Sequence, residues 1–144
     1  MIRMDALGVA GTGINAALMQ VAATANNVAN LQTTKPMDGA AFQGDDPVLT
    51  ESPSGGVQVG MIAPAGTEEG IPVRQPDNPQ VDDSGLVRLP DIDLGGQMVD
   101  LLVAQQAVAA NVVTINRAVD SYRDLLSMTN SDRSRNAAAE PVSL

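Results

Sequence analysis

Apolar residues recur at steps of mostly three and four along two stretches near opposite ends of the chain. In the first stretch these positions are Leu7, Ile14, Leu18, Val21, Ala25 and Val28. In the second they are Met98, Leu101, Gln105, Val108, Val112, Ile115, Val119, Tyr122 and Leu126. This spacing is typical of a helix that buries one narrow seam against a partner helix. We therefore predict a long helix in each stretch, and we expect each helix to need a partner.

The segment between the two stretches is rich in proline and glycine. Only short runs alternate or cluster as strands do, at residues 57–62, 71–73 and 86–89. Such runs, bounded by glycine and proline, predict short β-strands in a loop-rich segment.

The pattern divides the chain into four parts. Residues 1–34 contain the first helix, which ends before Pro36. Residues 35–93 form the loop-rich, short-β middle segment, and residues 94–129 form a second helix roughly 50 Å long. Residues 130–144 are predicted to be a flexible tail. The predicted fold class is therefore mainly α, with the terminal helices packed as a coiled-coil-like pair and a small loop-rich β segment between them.

Three glycines, Gly8, Gly11 and Gly13, weaken the opening turns of the first helix. Their spacing superficially resembles a phosphate-binding loop, but no strand precedes them and no Lys-Ser or Lys-Thr pair follows. Either the helix begins firmly only near Thr12, or the glycines permit close approach of a neighbouring backbone. We favour close approach at Gly11 and Gly13.

Composition argues against several classes of function. The net charge is −9 and the eight basic residues are scattered, so a nucleic acid is not an expected partner. The sequence has neither cysteine nor histidine, and no serine or threonine sits in a recognisable nucleophile motif. We predict that the chain is not an enzyme, has no catalytic residues and uses no cofactor.

Two pairs of acidic residues have the spacing of local structure rather than of a metal site. Asp82 and Asp83 lie at a turn by composition, and Asp91 and Asp93 immediately precede the second helix. Calcium requires six to eight oxygen ligands, usually from a dedicated loop. We therefore expect a turn, a helix cap and no metal ligands.

Polar residues and glycines interrupt each apolar stretch before about 20 residues, so we expect no membrane-spanning segment. The N-terminal residues also lack the uninterrupted apolar core of a secretory signal. We expect no cleaved signal peptide, which is typical of cytoplasmic proteins and also of proteins exported by another route.

Asparagine is unusually frequent in both helices, although it is a mediocre helix former. The residues are Asn15, Asn26, Asn27, Asn30, Asn111 and Asn116. Solvated helix faces and a helix C-cap at Asn30 account for some of them. The alternative is that side-chain amides set register and partner between packed helices, as a buried asparagine does in coiled coils.

All of these asparagines except Asn15 lie in motifs that resemble the family of bacterial flagellar rod and hook proteins. The N-terminal motif is Ala-Asn-Asn-Val-Ala-Asn at residues 25–30, and the C-terminal motif is Ala-Asn-Val-Val-Thr-Ile-Asn at residues 110–116. Residues 78–90 are similar to the segment that precedes the last helix in the short proximal rod members. The resemblance covers about residues 6–128, in order.

The resemblance implies a structural subunit of the flagellar basal-body rod. In this family the terminal helices pack together and copies assemble helically around the export channel. The rod transmits torque across the periplasm, and its subunits leave the cell through the flagellar type III export apparatus. The implied partners are copies of the chain, other rod proteins and that apparatus.

The chain departs from the family pattern at several positions. Residues 35–39 replace the usual Gly-Phe, Val108 replaces an aromatic residue, and Val119 replaces a basic one. The sequence also continues beyond the helix that normally ends the family's chains. A soluble coiled-coil adaptor or an export-associated accessory protein is therefore the alternative function.

Seams and motifs together predict an assembly interface. Its residues are Ile14, Leu18, Val21, Asn26, Asn27, Asn30, Val108, Asn111, Val112, Ile115, Asn116 and Val119.

Overall fold

The computed structural model describes residues 2–139, and the side chains of residues 6–135. The elements in chain order are α1 (Ile2–Asn30), β1 (Gly44–Glu51), β2 (Val57–Ala65), β3 (Ile71–Arg74), β4 (Leu86–Leu89) and α2 (Leu94–Ala139). Helix α1 packs against α2 and against the β1–β2 hairpin. The predicted fold class, two long terminal helices packed as a pair with a small β segment between them, is confirmed.

The two helices are antiparallel. Gly13 of α1 lies against Asn111 of α2, and Asn27 donates a hydrogen bond to Gln97 over 2.8 Å. Between these contacts α1 advances from residue 13 to 27 while α2 returns from 111 to 97, about 21 Å on each helix. The equal steps show that the helices stay in register along this length.

Alanine supplies every fully buried apolar side chain described in the two helices. The buried alanines of the helices, each at most 8% exposed, are Ala10, Ala16, Ala17, Ala23 and Ala104. Because an alanine side chain is a single methyl group, two helix backbones can approach closely across such positions. This packing suits a chain with only one Phe and one Tyr.

Two separate antiparallel hairpins make up the middle segment. Strands β1 and β2 pair from Gly44↔Ala65 to Glu51↔Val57 with one bulge, and β3 pairs with β4. A bridge between Lys35 and Arg88 ties β4 to the segment that follows α1.

Strand β1 is the element that the sequence pattern missed. It begins Gly-Asp-Asp-Pro, residues that are depleted in strands. Its order comes from pairing with β2 and from its contact with α1, neither of which is visible in a local pattern. The three runs that were predicted correspond to β2, β3 and β4.

The glycines of α1 are all within the helix, so a firm start near Thr12 is wrong. A Cβ at Gly13 would stand 2.7 Å from the Asn111 amide nitrogen, and close approach is confirmed there. At Gly11 nothing lies within 4 Å of such an atom, so the expected neighbour is absent. The helix tolerates Gly8 and Gly11 because packing along the rest of α1 stabilises it.

Helix α2 is longer than predicted. It continues to Ala139, ten residues beyond the expected end at residue 129. No glycine or proline interrupts residues 130–139, and the hydroxyls of Ser131 and Ser134 donate to carbonyls four residues earlier. The predicted tail is therefore helical over residues 130–139, and residues 140–144 lie outside the described residues.

Both acidic pairs have the local roles expected of them. The Asp82 carboxylate accepts hydrogen bonds from the backbone N–H groups of Ser84 and Leu86, at 2.9 and 2.8 Å, across a turn. The Asp93 carboxylate accepts bonds from Gly95 and Gly96 at 3.1 and 2.8 Å, and so caps α2.

Candidate assembly interface

Asn27 joins three elements of the subunit. Its side chain is 1% exposed, and its amide nitrogen donates to the Asp45 carbonyl at 2.9 Å and to Gln97 at 2.8 Å. Its amide oxygen accepts a bond from the Asp45 N–H at 2.8 Å. A Cβ at Gly44 would overlap this amide, so the residue before Asp45 must be glycine. One side chain thus fixes α1, β1 and the start of α2 relative to one another.

Asn26 and Asn30 lie at the end of α1. The Asn30 amide donates to the Asn26 carbonyl at 2.9 Å and to its side chain at 3.2 Å, and its oxygen accepts a bond from the Thr33 hydroxyl. Asn26 also reaches the Asp45 carboxylate at 3.3 Å. The C-cap interpretation therefore holds for Asn30, while Asn26 remains exposed.

Asn111 is the asparagine of α2 that contacts α1. It is half-buried, donates to the Ala107 carbonyl of its own helix at 2.9 Å, and packs over Gly13. The two helix-pairing asparagines, Asn27 and Asn111, belong to the two separate sequence motifs. Each motif thus supplies one asparagine that contacts the opposite helix of the pair.

Thr12 attaches the β1–β2 hairpin to the other half of α1. Its hydroxyl donates to the Val9 carbonyl at 2.8 Å and accepts a bond from the Val57 N–H at 3.1 Å. A Cβ at Gly56 would overlap that hydroxyl. The hairpin is therefore held to α1 at two points, Thr12 and Asn27.

Arg88 performs a similar role for the second hairpin. Its guanidinium donates to the carbonyls of Met37 and Glu69, and its backbone pairs with Lys35 in both directions. Its partners are carbonyls rather than carboxylates. Neither Arg88 nor Thr12 was among the predicted site residues, because each acts through backbone groups that no sequence pattern marks.

The seam that α2 presents to α1 differs from the predicted one at alternate positions. Of the predicted seam residues, Leu101, Val108, Ile115, Val119 and Tyr122 are half-buried. Between them lie Ala104, which is 1% exposed, and Asn111, which packs over Gly13. The predicted Met98, Gln105, Val112 and Leu126 are instead exposed. The prediction took Gln105 and Val112 for the contact, whereas the packed helix turns their neighbours Ala104 and Asn111 inward.

The other predicted interface residues divide by exposure. Half-buried in the subunit are Ile14, Val21, Asn30, Val108, Ile115 and Val119. Exposed are Leu18, Asn26, Val112 and Asn116. The first group faces contacts within the chain, and only the second is free to meet another molecule.

Helix α2 carries a second apolar surface on the side away from α1. This outer face consists of Met98, Val99, Leu102, Val103 and Val113, which are between 49% and 64% exposed. Helical geometry of about 100° per residue places Leu102 and Val113 opposite Ala104 and Asn111, with Met98 and Val99 about 50° to either side and Val103 at the flank. Contiguous exposed apolar surface of this kind marks an interaction site. The sequence signal was present, but the seam analysis assigned only one face to the helix.

Both helices contain windows long and apolar enough to cross a membrane, by length and composition alone. The spans that meet this test are Ala6–Asn30 and Leu94–Arg135. Polar residues do interrupt both helices, and the hydropathy of each nevertheless reaches the level of a membrane span. The core helix of a soluble protein passes the same test, so the absence of a membrane span stays a prediction.

The described residues contain no cluster of three or more His, Cys, Asp or Glu side chains that could hold a metal ion. Every buried side-chain polar atom described has a hydrogen-bond partner. The buried polar groups of the site therefore bind one another, and the predicted interface residues left exposed to a partner are both apolar, Leu18 and Val112, and polar, Asn26 and Asn116.

Similarity to known proteins agrees with the residue motifs. No protein-family model matches the chain. The flagellar basal-body rod protein FlgC of Aquifex aeolicus is 31% identical over 113 residues, which cover 75% of this chain and 83% of the relative. FlgC of Yersinia enterocolitica is 29% identical over 118 residues, covering 78% and 87%, and FlgC of Borreliella burgdorferi is 24% identical over 145 residues, covering 86% and 95%. The chain belongs to the FlgC family of flagellar basal-body rod proteins.

Proposed function

We propose that this chain is a non-enzymatic structural subunit of the proximal rod, assembled helically with copies of itself and other rod proteins to transmit torque across the periplasm. The observation that carries the proposal is the outer face of α2. Its five apolar side chains are at least 49% exposed in the subunit, while the opposite side of the same helix is already packed against α1.

Burial of this face would stabilise an assembly. Full burial of a Val, Leu or Met side chain contributes about 1.5–3 kcal/mol, and these side chains have about half of that still to gain. Five of them therefore offer roughly 4–8 kcal/mol per subunit before the entropy of association is subtracted. That is enough to favour a polymer whose subunits each make several contacts.

The predicted interface residues support this function in two ways. Asn27, Asn111 and Ile115 hold the helix pair, which keeps the outer face in one orientation. Leu18 and Val112, respectively 51% and 42% exposed, enlarge the surface available to neighbours. An open helical array requires different patches on different sides of the subunit, and two apolar helix faces meet that requirement.

The same arrangement accounts for the hydropathy of the helices without a membrane. A helix that is apolar on all sides is one that becomes buried on all sides. In α2 one side is covered by α1, and neighbouring subunits would cover the other. We accordingly propose that neither helix crosses a membrane, and that the chain is exported through the flagellar type III apparatus without a cleaved signal peptide.

A deletion strain tests the proposal. Cells of the source bacterium that lack this chain should build no complete basal bodies and should not swim, and the wild-type chain should restore both. Leu102→Asp, which places a charge on the outer face, should fail to restore swimming. Ala40→Asp, which places the same charge on an exposed loop, should restore it.

Two results would contradict the proposal. Complete basal bodies and normal swimming without the chain would show that it is not a rod subunit. A chain that restores motility from the cytoplasm, and is absent from purified basal bodies, would instead favour the adaptor or export-associated function.

A further inference from the structure

The C-terminal part of α2 extends beyond its partner helix. The register that places Gly13 against Asn111 puts Ile2, eleven residues earlier, level with Tyr122, eleven residues later. Helix α2 continues to Ala139, about 25 Å further. We call residues 123–139 the projecting end.

Apolar side chains on the projecting end lack a partner among the described residues. Leu126 and Met128 are 64% and 65% exposed, and Leu125 is 44% exposed. At about 100° per residue these three side chains lie within an arc of roughly 160°. The projecting end therefore presents an apolar strip rather than isolated residues.

Basic residues follow this strip. Arg133 and Asp132 lie within the same arc and Arg135 lies at its edge, so the three residues together carry a net charge of +1. The only ion pair among the described residues joins Arg123 to Asp120. The projecting end thus combines an apolar strip with two arginines whose charges are not paired by the described residues.

An apolar groove that could accept such a strip lies between α1 and the β1–β2 hairpin. It has a volume of about 230 Å³ and is lined by Met19, Ala22, Ala23, Pro47, Val59 and Ile62, with Asp45 at one side. Met19 and Ile62 are about half exposed, at 49% and 54%. The groove is thus apolar and open to the surface.

The surroundings of the groove are acidic. Asp45 itself lines the groove, and its carboxylate accepts a hydrogen bond from the exposed Asn26 at 3.3 Å. Residues 35–93 as a whole contain eleven acidic and three basic residues, a net charge of −8. Opposite charges favour encounter and set the orientation of docking partners, so a basic apolar helix fits this groove better than a neutral one.

The projecting end cannot reach the groove of its own subunit. By the same register, Ala22 lies level with Leu102, and Leu126 is 24 residues further along one continuous helix. That separation is about 36 Å. Any occupancy of the groove by this helix must therefore come from another molecule.

We propose that the apolar strip of the projecting end docks into the α1–hairpin groove of a second copy of this chain, with Arg133 and Arg135 facing Asp45. Such a contact joins two different patches, so it repeats head to tail from copy to copy. The outer face of α2 is a poorer match, since residues 98–113 carry one charge only, that of Asp100. The inference rests on the proposed function, for which it supplies one specific contact.

Cysteine cross-linking tests the contact directly, because the chain contains no cysteine of its own. Cells without the native chain would co-express Leu126→Cys and Ile62→Cys, and purified basal bodies would be oxidised. We expect a product with the mass of two copies. Leu126→Cys combined with Val103→Cys, a site of similar exposure at 59%, should yield about tenfold less product.

A charge swap tests the same contact without cross-linking. Arg133→Glu should reduce swimming, and Asp45→Lys in the same chain should restore it at least in part. Swimming unchanged by Arg133→Glu, or impaired further when Asp45→Lys is added, would overturn the proposed charge pairing.

The cross-linking outcomes separate this contact from the function itself. If the chain is present in basal bodies but Leu126→Cys and Ile62→Cys give no product above the control, the contact is wrong and the rod function stands. Absence of the chain from basal bodies would overturn both. A product whose mass is not that of two copies would assign the groove or the strip to another partner and would overturn the proposal.

Discussion

Replacing Asn27 with Ala removes three hydrogen bonds at the junction of α1, β1 and α2. The lost partners are the backbone N–H and carbonyl of Asp45 and the side chain of Gln97, all within 2.8–2.9 Å. Because Asn27 is 1% exposed, water does not readily take the place of its amide. Asp45 is half-buried, so its freed backbone groups are only partly rehydrated.

The expected loss of stability follows from these contacts. Each hydrogen bond contributes about 0.5–1.5 kcal/mol net, and a buried group left without a partner adds to the loss. Three bonds therefore amount to roughly 3 kcal/mol, from which about 0.6 kcal/mol is regained because alanine is the better helix former. We expect Asn27→Ala to lower the free energy of unfolding by about 2 kcal/mol, a large part of the 5–15 kcal/mol typical of a domain.

Urea denaturation of the purified chain, followed by circular dichroism at the helix band, measures this change. A loss of about 2 kcal/mol moves the midpoint by roughly 1 M urea, or the melting temperature by about 7 °C. The backbone N–H of Asp45 should also exchange with solvent faster in the variant, since its hydrogen-bond acceptor is gone.

Asn26→Ala is the matched control. Asn26 is the preceding residue on the same helix, is exposed, and reaches Asp45 only through a 3.3 Å bond. Its replacement should change the free energy of unfolding by less than about 0.5 kcal/mol. If Asn27→Ala is no less stable than Asn26→Ala, the junction does not hold the three elements together and our account of this motif is refuted.

Three further comparisons test the helix pair and its attachments. Ile115→Asp should reduce the helix signal of the isolated chain, because it buries a charge at a cost of several kcal/mol, and normal incorporation of this variant would show that the α1 contact is on another face. Val112→Asp should keep the helix signal and abolish assembly into basal bodies, and normal incorporation of this variant would show that the exposed side chain makes no assembly contact. Gly11→Ala should raise the free energy of unfolding by up to about 1 kcal/mol, whereas Gly13→Ala should not, since its methyl group meets Asn111. Equal gains in urea titration would refute the close approach at Gly13. Thr12→Val should cost about 1–2 kcal/mol in the same titration, because it leaves the first N–H of β2 without an acceptor, and an unchanged midpoint would show that the hairpin is held elsewhere.

Local sequence patterns predicted the elements whose stability is local. The three- and four-residue spacing identified both helices. Short strand-like runs bounded by glycine and proline identified β2, β3 and β4. Cap and turn chemistry at Asp93 and Asp82 was also predictable, because each carboxylate binds backbone groups two to four residues away. The pattern missed β1, whose composition disfavours a strand and whose order depends on distant partners.

The family was recognisable from the two asparagine motifs, but the roles of the asparagines were not. Two closely spaced residues, Asn26 and Asn27, are alike in sequence, yet one is exposed and the other is the most buried polar side chain described. Which of them faces inward depends on the rotation of α1 against β1 and α2. That rotation is a property of the packed subunit, and no spacing within one helix determines it.

The sequence by itself determined that two long helices lie at the ends of the chain, that each requires a partner, and that the chain resembles rod proteins. These features follow from periodicity and from motifs, both of which are readable along one dimension. Only the tertiary structure decided which face of α2 is inner and which is outer. The packed subunit turns Ala104 and Asn111 towards α1 and leaves Leu102 and Val103 exposed, because the rotation of α2 about its own axis is set by contacts with α1, which lies far away in the sequence.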